Sequence, residues 1–110
     1  MANTQTYKDI TKEQRKEWEA KFGKHRIKDI TFEVDGISYG FVLRKPSRSV
    51  MEAVAKEGEK NIAAANNIFL KNCVLGGDME AIDLDGDVYL IVIKEISLLL
   101  NKKNITVKKH

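Results

Sequence analysis

The chain has 110 residues, of which 43% are apolar and 32% charged, with a net charge of +3. This balance excludes an intrinsically disordered chain, and the length suits one domain that removes roughly 60 to 70% of its unfolded surface from water. No apolar run reaches the roughly 18 residues of a membrane span, the longest being Val88 to Ile93, and the opening M-A-N-T-Q-T lacks the order of a signal peptide, so a cytoplasmic protein is expected.

A single cysteine excludes an internal disulfide, and two histidines far apart offer no ligand spacing for a structural metal. Charge is uneven along the chain. Residues 1 to 28 hold eight basic and four acidic side chains, residues 78 to 95 one basic and six acidic, and residues 101 to 110 four lysines and no acid. The basic residues are not interleaved with aromatics, which argues for solvated faces over a nucleic-acid footprint.

Residues 1–9 are polar and without period, and read as a flexible leader. Thr11 then reads as an N-cap with Gln14 completing a capping box, and a helix is expected to Phe22, closed by Gly23. Trp18 and Phe22 stand one turn apart on one face, Glu17 and Lys21 on another. With so thin an apolar stripe, this helix either docks on its own domain through Trp18 and Phe22 or offers them to a partner. These two residues are the candidate partner-binding site.

The segment I-T-F-E-V-D-G-I-S-Y-G-F-V-L holds two alternating runs around Asp35-Gly36, the pattern of a hairpin with a two-residue type I′ turn. Pairing Val34 with Ile37 sets Phe32 opposite Tyr39 and Ile30 opposite Phe41, so all six share one face, which a helix must cover. Gly40 marks a bulge or a place where another backbone comes close.

From Ser47 to Asp78 the chain is helix-rich, and the rest is expected to pack on it. Ser47 or Ser49 is the N-cap after Pro46, with Glu52 completing a box for Ser49. Gly58 divides the stretch into helices over about 48 to 57 and 60 to 74, the second ended by Gly76 or Gly77. Val50, Met51, Val54, Ile62, Ala65, Phe69, Cys73 and Val74 form the apolar stripe. Phe69 is expected at the junction with the hairpin, Cys73 as a buried small hydrophobe, and Asn66, Asn67 and Asn72 facing water.

The acidic stretch D-M-E-A-I-D-L-D-G-D fails as a calcium loop. Counting from Asp83 puts Val88 at the turn glycine and Lys94 at the bidentate glutamate. It reads instead as a capped loop with Asp87 at the N-cap or first turn of a helix. From Val88 to Asn101, the spacing of Tyr89, Val92, Ile93, Ile96, Leu99 and Leu100 predicts that helix, although Val88 to Ile93 alone also suits a buried strand. Ile105 and Val107 alternate, so the tail reads as a short edge strand or a frayed end over 103–110. Together these elements give a single α+β domain over 1–110: an N-terminal helix, one antiparallel hairpin and three further helices.

L-R-K-P-S-R-S-V-M-E-A-V after a hairpin strand, then I-F-L-K-N-C-V-L-G-G-D, then a short acidic gap and V-Y-L-I resemble the small tail assembly chaperones of long-tailed bacteriophages and prophages. The likeness covers about Thr31 to Leu100. It implies a non-enzymatic protein without cofactor, in the cytoplasm of a bacterial host, that binds the helical tape measure protein and keeps it soluble until tail tube subunits assemble around it. The residues themselves offer no catalytic set: His25 lacks a partner in sequence and the carboxylates have structural roles at hand. The alternative is a small basic nucleic-acid-binding regulator using the lysines of both ends. Homo-oligomerisation stays open.

Overall fold

The computed structural model describes residues 6–100. The helix α1 spans Lys12–Phe22, with the Thr11 hydroxyl accepting the Gln14 N–H at 3.1 Å and the Gln14 side chain returning to the Thr11 N–H at 3.0 Å. Gly23 ends it at φ 93°, ψ 129°. Its φ is positive as expected, but its ψ is extended, which carries the chain through a 3₁₀ turn at Lys24–Arg26 into the first strand.

Strands β1 (Ile27–Val34) and β2 (Ile37–Arg44) form the hairpin in the expected register, with Val34 opposite Ile37, Phe32 opposite Tyr39 and Ile30 opposite Phe41. Asp35 at φ 53° and Gly36 at φ 80° supply the two left-handed residues of a type I′ turn. Three helices follow the sequence reading closely. Helix α2 is Arg48–Gly58, α3 is Ile62–Cys73, and the last helix is Gly86–Leu98, so Val88 to Ile93 is helical and not a strand.

The sequence hid one strand and one helix. After α3, Val74–Gly77 forms a third strand, β3, antiparallel to β2, so the double glycine lies within a sheet and does not cap a helix in water. Phe41 faces Gly77, Val42 faces Gly76 and Leu43 faces Val74, which leaves Leu75 as the extra residue of a bulge. Met79–Leu84 then forms the short helix α4, so four helices and not three follow the hairpin, with Gly86–Leu98 as α5.

The inner face of the three-stranded sheet carries the core. Ile30, Val34, Phe41 and Leu43 meet Val50 of α2, Phe69 and Cys73 of α3, Ile82 of α4, and Val88, Val92 and Ile96 of α5. Phe32 packs beside them, its ring 5.9 Å from that of Phe41 and 6.0 Å from that of Tyr39. Phe69 is buried in this cluster as expected, and burial pushes the Cys73 thiol up to about 11.

Four local expectations need correction. Ile62 is 74% exposed, because it opens the first turn of α3 and points away from the stripe. Asn66 donates to the Tyr89 hydroxyl at 3.1 Å, and Asn72 donates to the Ile68 carbonyl at 2.8 Å, so only Asn67 of the three is fully exposed. Ser47 is the N-cap of α2, accepting the Val50 N–H at 3.3 Å, while Glu52 pairs with Arg48. Residues 7–9, read as leader, form a 3₁₀ turn docked on the sheet. The tail, including Ile105 and Val107, lies outside the described residues.

Candidate functional site

Both faces of the sheet are covered. Alternation along β2 turns Gly40 and Val42 away from the core, and yet Val42 is 0% exposed. What covers this outer face is the N-terminal segment, which lies across it from the Tyr7–Asp9 turn through α1.

Glycines shape the contact. A Cβ at Gly40 would clash with the Tyr7 ring, and one at Gly76 would stand 2.9 Å from Trp18 Cη2 and 3.3 Å from Ile10 Cδ1. Two aromatic rings thus sit in notches that only glycine leaves open, on adjacent strands. The sequence suggested a bulge or an approaching backbone at Gly40, whereas the group that fills this notch is a side-chain ring.

Asp78 holds the segment at its start. Its Oδ1 accepts the Tyr7 N–H at 3.0 Å and its Oδ2 accepts the Gly40 N–H at 2.8 Å. A second anchor lies nearer the hairpin edge, where Arg15 donates twice to Asp29, at 2.9 and 2.6 Å, and the Tyr7 hydroxyl donates to the same carboxylate at 2.6 Å. The Arg15 and Tyr7 hydrogen bonds hold the Asp29 carboxyl below its usual range, and the same carboxylate pushes the Tyr7 phenol up.

Of the two sequence-derived candidates, Trp18 is half-buried against Gly76, and Phe22 lies under Arg44, whose guanidinium carbon is 4.5 Å from the ring centroid. Arg44 is itself fixed by donating to the Asn72 carbonyl at 2.6 Å. The pair therefore docks on its own domain, the first of the two alternatives that the thin stripe allowed. Tyr7, Arg15, Asp29 and Asp78 were missed because their partners lie 14 to 71 residues away in sequence.

Among the described residues, two depressions have a largely apolar lining. A cleft of about 590 Å³ runs beside the hairpin tip, where β3 no longer pairs with β2, and is lined by Tyr7, Ile37, Tyr39 and Asp78 among others. A shallower groove of about 360 Å³ lies between α3 and α4, with Leu70, Met79 and Ile82 as an apolar floor and Asn67, Lys71 and Asp83 at its rim. Leu84, the last residue of α4, is 78% exposed but does not line the groove. Such a groove can take apolar side chains. The nearby acidic residues have a local task, Asp85 capping α5 by accepting the N–H groups of Asp87 at 2.8 Å and Val88 at 3.4 Å. Among the described residues, no group of His, Cys, Asp and Glu could hold a metal ion, and no helix is long and apolar enough to cross a membrane.

Compared with known proteins, the chain matches no family model, no curated protein and no solved structure.

Proposed function

We propose that this protein is a binding module of the tail assembly chaperone kind, which holds an apolar helical partner, the tape measure protein, in soluble form and performs no chemistry on it. The likeness over Thr31 to Leu100 suggests the partner. The observation that carries the reading is the groove between α3 and α4, an apolar floor of Leu70, Met79 and Ile82 inside a polar rim.

An amphipathic helix recognises such a groove through apolar residues three or four apart, while its polar face stays in water. Each leucine or phenylalanine it buries contributes about 1.5 to 3 kcal/mol, so two or three anchors supply roughly 3 to 9 kcal/mol, comparable to the cost of association, and a tight complex needs further contacts along the partner. Asn67 at the rim is the cleanest probe, since its exposure lets a long charged side chain be introduced at the mouth of the groove without disturbing the core. Asn67→Arg is expected to weaken binding of a tape measure segment at least about tenfold at unchanged melting temperature. Unchanged affinity in Asn67→Arg and in Leu70→Glu would remove the groove from the account.

A further inference from the structure

The inner core is complete without the N-terminal segment. Every residue of the core cluster, and every apolar residue packed against it, lies at Ile30 or later. Helix α1 has no fully buried residue, and its attachments are ring edges, hydrogen bonds and an ion pair whose partners are each about one-third exposed. The segment joins the sheet only through the Gly23 bend and the following turn. Lifting it uncovers Val42 and two glycine notches but breaks nothing on the helical side.

We propose that Thr6 to Phe22 is a releasable strap, and that the sheet face beneath it is a second helix-receiving surface. The occupant that fits is an amphipathic helix of the strap's own pattern: an aromatic ring for the Gly76 notch and, one turn away on the same side, a guanidinium for Asp29. Trp18 and Arg15 supply these in the chain itself. Asp29 and Asp78 favour a basic or amide-rich group at one end of the face, while Arg44 at the other favours an aromatic ring, the place Phe22 takes in the chain itself. The strap acts as an internal competitor, and a partner helix gains access in proportion to the time the strap spends open. This deepens the binding-module reading but rests on a different face.

The test uses the full chain and a synthetic peptide of residues 6–23. In Trp18→Ala, hydrogen exchange of the α1 amides should rise about tenfold while α5 amides around Val92 stay within about twofold of wild type. The peptide, labelled and carrying Trp18, should bind Trp18→Ala saturably and bind wild type at least about tenfold more weakly. Arg15→Ala, which removes only a surface-accessible contact, should move both readouts in the same direction by less. A parallel rise of α1 and α5 exchange, or a peptide that binds neither variant, would overturn the proposal. No tape measure partner enters this experiment, so its failure leaves the α3–α4 groove untouched, and failure of Asn67→Arg leaves the strap untouched.

Discussion

Asp78 satisfies both polar groups of Gly40: its own N–H donates to the Gly40 carbonyl at 3.0 Å, and its Oδ2 accepts the Gly40 N–H at 2.8 Å. One residue thereby continues the ladder of β3 beyond its last glycine, and its second carboxylate oxygen ties Tyr7 to the same point. Asp78→Ala leaves two part-buried N–H donors without their acceptor and is expected to cost about 2 to 3 kcal/mol. Asp78→Asn keeps one acceptor and should lie between. Urea unfolding measures both, and an alanine variant within about 0.5 kcal/mol of wild type would contradict the clamp.

The notch at Gly40 predicts a coupling. Gly40→Ala drives a methyl into the Tyr7 ring and should cost about 1 to 3 kcal/mol, whereas in a Tyr7→Ala background the same change should cost clearly less. A double-mutant cycle reads the difference. Strict additivity would mean that the ring does not rest there.

Phe69 joins α3 to the sheet through the core cluster. Phe69→Ala is expected to lower stability by about 3 to 5 kcal/mol, a large part of what a domain of this size possesses. An unchanged thermal midpoint would refute its placement.

Acid should loosen the strap. Because Arg15 and Tyr7 favour the ionised carboxylate, the folded pKa of Asp29 lies below its ordinary value of 3.8. Stability from this group is therefore complete above the ordinary value and is lost as pH falls through the lower, folded one. Tyr7 acts in the opposite sense: its phenol is raised from 10.0, so its share is complete below pH 10 and lost as pH rises through the folded value. Glu19 and Lys24 border the Asp29 side of this contact. Tryptophan fluorescence of Trp18 followed from neutral to acid pH should report the first loss, and Asp29→Asn should flatten that part of the curve. An identical acid transition in the variant would assign it elsewhere.

What the sequence disclosed depended on how locally each feature is encoded. Asp35-Gly36 determines its own turn and hence the register of eight residue pairs, because the left-handed angles are a property of those two residues. The Thr11 box and the spacing in α5 are equally local. Val74 to Gly77 is different: four residues have no readable period, glycine argues against a strand, and only pairing with Phe41, Val42 and Leu43 makes it one. The outer-face contacts were invisible for the same reason. Nothing near Tyr7 or Asp78 in sequence points to Gly40, and the glycine itself suggested a bulge or an approaching backbone rather than a ring. The two-residue stripe of Trp18 and Phe22 was legible, and its thinness follows from a helix that touches the sheet through these two rings and the Arg15 ion pair.

The central claim, a binding module for an apolar helical protein, is tested most directly by co-expressing the full chain with the tape measure protein of the same phage or prophage and measuring the soluble, co-purifying fraction of that partner. Apolar burial predicts a large rise in the soluble fraction, and a complex that survives washing from about 50 to about 500 mM salt, a range over which phosphate-driven binding falls steeply. A partner equally insoluble with and without this protein, or a complex that dissolves as salt rises, would contradict it.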